Sequence, residues 1–315
     1  MNIAASAKDA TPAPTPAAAP VRYRVLHETQ YDYSATVLSS HQLAHLAPRQ
    51  TAWQTVLAHE VRIDPAPRER AERTDYFGNA ELRFLIDLPH AELTVQSESL
   101  VDIRPHAPAP DAVSPPWESA AAPVYVPGPA DIELASYRVA SPMVPICDEC
   151  ADYARTSFTP GRPWLEACFE LTRRIRKEFA YDPKATTVTT RVTEVLDKKR
   201  GVCQDFAHLM ISCLRSLGIP ARYVSGYVLN RVPEGKVRLA GADASHAWVA
   251  AHCPELGWVA FDPTNGKLAD TEFVTVGWGR EFSDVTPLRG VVLGTASQEL
   301  SVAVTVEPLP GVDAN

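Results

Sequence analysis

At 315 residues, with 45% hydrophobic and 22% charged side chains, the chain has ordinary globular composition and enough length for at least one large core. A formal net charge of −8 and an isoelectric point near 5.6 exclude a broad nucleic-acid footprint, which needs Lys and Arg clustered on one face. No run of about 18 uninterrupted apolar residues is present, so no membrane-spanning helix is expected, and six irregularly spaced cysteines do not make a disulfide scaffold.

The first twenty residues end in a Pro/Ala tract, Thr11 to Pro20, without an apolar block long enough for a secretory signal. They read as a disordered tail, and a cytoplasmic location is the expectation. From 21 to 104 come short alternating or β-branched runs: Tyr23 to Leu26, Thr55 to Ile63, Glu81 to Leu88 and Leu93 to Ile103. Asp64-Pro65 and Phe77-Gly78-Asn79 punctuate them as turns, so this stretch predicts an antiparallel β unit. Residues 105–130 are crowded with Pro and Ala and predict an extended connection, with the main domain boundary there.

A second unit is expected over 131–307, with 308–315 as a tail. It opens with a predicted helix over Ile132 to Ala154, then a second with Pro163 at its first position and Trp164, Cys168, Leu171, Ile175 and Phe179 on one stripe. The basic run Arg173-Arg174 to Arg176-Lys177 reads as the solvated face of that helix. A shorter helix, Arg191 to Lys198, leads into Arg200-Gly201-Val202-Cys203. Phe206, Ala207, Met210, Ile211, Leu214 and Leu217 then repeat at three and four residues, up to the stop at Gly218-Ile219-Pro220. Strands are expected over Arg222–Leu229, Ala247–Cys253, Gly257–Phe261, Glu272–Gly277, Gly290–Gly294 and Glu299–Glu307, the second and third joined as a tight hairpin. The class is α+β.

Three residues carry the chemistry. Cys203 stands at the first turn of an amphipathic helix, where unpaired N–H groups and the positive dipole end favour a thiolate. His246 follows the small-residue run Gly241 to Ser245 and begins a strand, so its imidazole can lie at a sheet rim and shuttle the thiol proton. Asp262 ends the strand that pairs with the His246 strand. If Cys253 faces Gly257 across the turn, residue 246 falls opposite 264 and diagonal to 262, within carboxylate reach of the imidazole. These are nucleophile, base and orienter of a thiol acyl-transfer site. The blander accounts are a buried structural thiol for Cys203, a strand-start histidine without chemistry for His246 and an Asp-Pro turn residue for Asp262. His208 is a poor rival, lying roughly 140° around the helix from Cys203. His252 is about 20 Å from His246 along one strand.

At these residues the chain resembles the bacterial transglutaminase-like superfamily: Gly201-Val202-Cys203 to Ala207-His208, Ser245-His246-Ala247-Trp248-Val249, and Gly257-Trp258 through Phe261-Asp262-Pro263-Thr264-Asn265 look like its three blocks in order. Tyr31-Asp32-Tyr33 through Leu46-Ala47-Pro48-Arg49 resembles that family's N-terminal β region, and Gly279 to Val285 with Pro287 to Gly290 its tail. The resemblance implies a papain-like core, with a nucleophile helix against an antiparallel sheet and an N-terminal β unit before it. It also implies a Cys203, His246, Asp262 triad acting on a protein or peptide substrate.

No cofactor or metal is expected. Hydrolysis of peptide or glutamine-type amides is preferred over protein-glutamine γ-glutamyl transfer, because the sequence lacks the extra domains and acidic calcium loops of animal transglutaminases. A catalytically inactive peptide- or protein-binding module is the further alternative. The backbone N–H of Cys203 is an expected oxyanion donor, whereas Gln204 reads as a surface helix residue. Cys147-Asp-Glu-Cys150 is half of a zinc pattern without a well-spaced second pair. Arg280, Asp284 and Arg289 read as salt-bridge residues.

Overall fold

The structure, a computed structural model, describes residues 19–109, 112–121, 129–229, 245–294 and 297–310. Most of the two expected tails, the run Gly241–Ala244, and residues 122–128 of the Pro/Ala-rich connection lie outside that set. In chain order the elements begin with β1 (Val21–Val37), β2 (Ser39–Ala44), β3 (Gln54–Asp64), β4 (Glu69–Thr74), β5 (Ala80–Ile86) and β6 (His90–Ile103). Then follow α1 (Glu118–Ala121), α2 (Pro129–Ser136), α3 (Asp148–Arg155), α4 (Trp164–Glu178), β7 (Ala180–Tyr181), α5 (Val192–Lys198), β8 (Arg200–Gly201) and α6 (Cys203–Ser216). The chain closes with β9 (Ala221–Val228), β10 (Ser245–Cys253), β11 (Gly257–Asp262), β12 (Lys267–Leu268), β13 (Phe273–Gly279), β14 (Leu288–Leu293) and β15 (Gln298–Leu309).

The alternating pattern of β1 buries Tyr23, Val25, His27, Thr29, Tyr31 and Tyr33 on one face, as a period of two requires. Such a strand needs neighbours on both edges. On one side lies β6; on the other, Arg22–Tyr33 pairs antiparallel with Gln298–Leu309 of β15. Similarly, β14 pairs with β2, giving sheets in the orders β15-β1-β6-β3 and β14-β2-β5-β4. Tyr31, Val37, Leu46, Phe84, Ile86, Leu93, Val95 and Leu288 fill one core between these sheets. Strands β14 and β15, expected in the second unit of 131–307 apart from Pro308 and Leu309 of the expected tail, pair instead with the first two strands and so complete the β unit.

Two further expectations are corrected. The helix over Ile132 to Ala154 is broken: α2 stops at Ser136, a Ser141–Val144 bridge follows, and α3 starts only at Asp148. Pro142 and Pro145 lie in the gap, and neither can donate the helical hydrogen bond. Nor is the 105–130 connection uniformly extended, since it contains α1, with Ala120 buried and Trp117 packed on the core, and Trp164 N–H donates to the Pro115 carbonyl at 2.8 Å. Pro163 is the N-cap of α4, one position before the first helical residue.

The second unit's sheet runs β12-β11-β10-β9-β13, with all its pairings antiparallel. Helix α6 covers one face, burying Phe206, Leu209, Met210, Cys213 and Leu214 in a core shared with α3, α4 and α5. The β unit covers the other side: Tyr227, Val274 and Val276 pack with Tyr23, Val25, Val101, Ile103, Val304 and Val306. At the same junction the Trp278 ring lies 3.6 Å from the Arg49 guanidinium and 3.7 Å from that of Arg222, cation–aromatic contacts that are strongest where water is excluded.

Candidate active site

Helix α6 begins at Cys203 because the chain is held extended at Val202 (φ −117°, ψ −179°) and then capped from within. The Asp205 carboxylate, three residues on, accepts the Val202 N–H at 2.8 Å and the Thr186 hydroxyl at 2.6 Å. That is one arm of a capping box, and it pins the loop after β7 to the helix start. Gly201 is required beside it, since a Cβ there would stand 2.6 Å from Asp205 Oδ2. Cys203 is half-buried, and its N–H is among the helix-start donors that have no intrahelical acceptor. Asp205 was not singled out from sequence, although an acid at the third helical position is a recognisable capping signal.

The hairpin of β10 and β11 has the expected register: Cys253 faces Gly257 and Val249 faces Phe261. Its open end therefore sets Asp262 beside His246, and His246 Nε2 donates to Asp262 Oδ2 at 2.9 Å. Asp262 is fully buried and also accepts the N–H of Thr264 at 2.9 Å, the N–H of Asn265 at 3.2 Å and Asn265 Nδ2 at 2.6 Å. Burial alone would raise the Asp262 carboxyl; the bonds from His246 and Asn265 overturn this and hold it below the usual range. Asn265 is a second residue that sequence reasoning passed over, inside the Asp-Pro-Thr-Asn turn it had read as a strand end.

With Nε2 engaged by Asp262, the other ring nitrogen is left for Cys203, whose thiol lies close enough to the imidazole to shift its proton affinity. Burial of His246 disfavours its charge, but Asp262 and then Cys203 outweigh that and push its pKa up to about 10. The ring is fixed from the side by Trp248, stacked at 6.1 Å between centroids, and by Phe273 at 6.2 Å. Opposite His246 on β9 is Gly226, where a Cβ would sit 2.0 Å from the Val274 carbonyl and 2.7 Å from the Trp248 ring.

The three residues singled out from sequence thus converge, and the rivals do not. His208 is buried on α6, accepts the Phe282 N–H at 3.1 Å and is pushed down to about 3 by burial and by Arg215. His252 packs against Trp258 at the far end of the hairpin. Gln204 turns away to the Val188 carbonyl at 3.3 Å. Arg280 and Asp284 form the expected ion pair at 3.1 Å, and Arg289 donates to the Ser283 carbonyl.

The bacterial transglutaminase-like N-terminal region matches residues 23–102, and the transglutaminase-like superfamily core matches residues 151–263, a span that holds Cys203, His246 and Asp262. The chain belongs to the transglutaminase-like superfamily. An uncharacterized Mycobacterium tuberculosis protein is 42% identical over 296 residues, covering 92% of this chain and 93% of that protein. A candidate cysteine protease from Cytophaga hutchinsonii has a solved structure that superposes with a TM-score of 0.73 at 20% identity, over 94% of this chain and 93% of that one. At that identity the likeness is one of fold, and its coverage takes in the β unit as well as the superfamily core. A protein-glutamine gamma-glutamyltransferase of Pseudomonas aeruginosa is 38% identical over 97 residues, which is 30% of this chain and 14% of that protein.

Proposed function

We propose that this superfamily member is a thiol acyl-transfer enzyme acting on peptide or glutamine-type amide bonds of a protein or peptide substrate. The observation that carries the reading is the buried His246–Asp262 pair at 2.9 Å with the Cys203 thiol on its other side. The Cys203 proton passes to His246 and the sulfur, as thiolate, attacks the amide carbonyl, while the Cys203 N–H at the helix start supports the developing oxyanion. The imidazolium, kept charged by Asp262, gives its proton to the departing amine or ammonia. A thioester remains on Cys203 until a nucleophile, deprotonated by the now neutral imidazole, attacks it.

Hydrolysis is the preferred outcome. The segment shared with the Pseudomonas gamma-glutamyltransferase favours amine transfer as the second reading, because both outcomes pass through the same thioester. Incubation with a glutamine-containing protein and a labelled primary amine separates them. The expected result is release of ammonia or peptide in excess of amine incorporation, with both lost in Cys203→Ala. Dominant incorporation establishes γ-glutamyl transfer instead. No turnover, with Cys203 alkylated no faster than the other thiols, establishes a binding module.

A further inference from the structure

The lone C-x-x-C of the sequence is not isolated in space. Cys147 is the N-cap of α3, with extended backbone (φ −149°, ψ 154°), and Cys150 lies in the first turn of that helix. Cys213, on the face of α6 that packs against α3, completes the group. The Cys150 thiol lies beside the thiols of Cys147 and Cys213 and the Ser212 side chain, and each of them shifts its proton affinity. The walls are fixed: Ser212 donates to the Pro145 carbonyl at 2.5 Å, and Cys147 N–H donates to Ser216 Oγ at 3.1 Å. Cys150 and Cys213 are fully buried, while Cys147 is half-buried and gives the group its opening to solvent.

N-cap and third helical residue are the pair that meet in a capping box, within the roughly 4.4–6.8 Å between Cα atoms that a disulfide spans. Among the described residues, no group of three or more His, Cys, Asp or Glu is arranged to hold a metal ion, so the pattern is better suited to thiol chemistry than to half a zinc site. We propose that Cys147 and Cys150 form a reversible disulfide at the start of α3, making a dithiol redox site separate from Cys203. Proton sharing supports this. The bond from Cys213 leads in pulling Cys150 down to about 6 against the effect of burial, with Cys147 and Ser212 helping, while Cys147 is pushed up to about 12.

With a hydroperoxide as oxidant, the Cys150 thiolate attacks one peroxide oxygen, the O–O bond breaks, and the leaving hydroxide takes a proton to become water. Cys150 is then a sulfenic acid. Cys147 sulfur attacks the Cys150 sulfur, the S–S bond forms, the S–O bond breaks, and water leaves with the Cys147 proton. Two thiols and one hydrogen peroxide give one disulfide and two waters. An external dithiol reverses the step by exchange.

The site is independent of the acyl-transfer reading, since Cys213 and Cys203 lie ten residues apart on α6, about 15 Å along its axis. Its test reads no turnover. The full-length protein is treated with hydrogen peroxide, its free thiols are blocked under denaturing conditions, and it is digested with trypsin and weighed. Cys147 and Cys150 share the tryptic peptide Val139–Arg155, while Cys203 and Cys213 share Gly201–Arg215. The expected result is an unblocked Val139–Arg155, lighter by two hydrogens, that returns to the doubly blocked form after dithiothreitol and is absent in Cys147→Ser. Cross-linking of the two peptides places the bond between α3 and α6, with fragmentation telling Cys213 from Cys203, and overturns the proposal, as does a Val139–Arg155 peptide that stays doubly blocked after peroxide.

Discussion

Gln54 and Thr275 exchange two hydrogen bonds across the junction of the β unit and the transglutaminase-like unit: Gln54 Nε2 donates to the Thr275 carbonyl at 2.7 Å, and Thr275 N–H donates to Gln54 Oε1 at 2.8 Å. Asn79 does the same for Trp278, at 2.9 and 3.0 Å. Both partners lie on β13, the edge strand of the five-stranded sheet, so side-chain amides stand where a sixth strand would. In Gln54→Ala the Thr275 N–H is left buried and unpaired, which costs about 1–3 kcal/mol. A lower denaturant midpoint with an unchanged m value is the expected result in urea unfolding.

The His246–Asp262 pair sets a pH signature. His246 is raised from its ordinary 6.5 to about 10, so its share of stability is complete below pH 6.5, declines above it and is gone above about 10. Asp262 is lowered from 3.8, so its share is present above that value and is lost as pH falls through its depressed pKa. Removing the carboxylate in Asp262→Asn moves the His246 titration to lower pH, and the alkaline limb of the pH–rate profile moves with it. Turnover falls by on the order of a hundredfold or more, the range that general acid–base catalysis supplies. Nitrogen NMR of His246 alongside kcat against pH checks both.

Asp205 is a positioning residue at the start of α6. Asp205→Ala strips the acceptor from the Val202 N–H and the Thr186 hydroxyl and costs about 1–3 kcal/mol, as for groups left unpaired in the interior. Asp205→Asn keeps one carbonyl oxygen and is milder. The expected order of kcat/KM is wild type, then Asn, then Ala, with thermal melting following the same order.

Gly226→Ala places a methyl group 2.0 Å from the Val274 carbonyl and 2.7 Å from the Trp248 ring. Neither neighbour is a flexible chain end, so β9 must shift, at about 1–3 kcal/mol for overpacking. Because Gly226 faces His246 in the ladder, activity falls further than the loss of folded protein explains. Specific activity corrected for the folded fraction is the measurement.

Truncation after Gly294 removes β15 and frees an edge of β1. Val304 and Val306 are buried against Tyr23, Val25 and Val274, and each such side chain is worth about 1.5–3 kcal/mol. Loss of the β unit's cooperative unfolding, with aggregation through the bare edge, is expected in calorimetry and light scattering.

The nucleophile helix, the His246 strand and the Asp262 hairpin were legible in the sequence because each rests on contacts within a few residues: a three-and-four apolar repeat, a stop at Gly218, a turn between Cys253 and Gly257. Local register then sufficed to set Asp262 beside His246. The break between α2 and α3 was legible too, in Pro142 and Pro145, neither of which can donate the helical hydrogen bond.

What the sequence by itself determined is therefore the local frame of Cys203, His246 and Asp262 and the identity of most strands. Tertiary structure alone decided that β14 and β15 return to the first two strands, that Gln54 and Asn79 finish the edge of β13, and that Cys213 joins Cys147 and Cys150. Strand type follows from a period of two along the chain, but partner choice follows from which edges and buried faces remain unfilled once everything else has packed, and residues some 275 positions apart carry no local mark of each other.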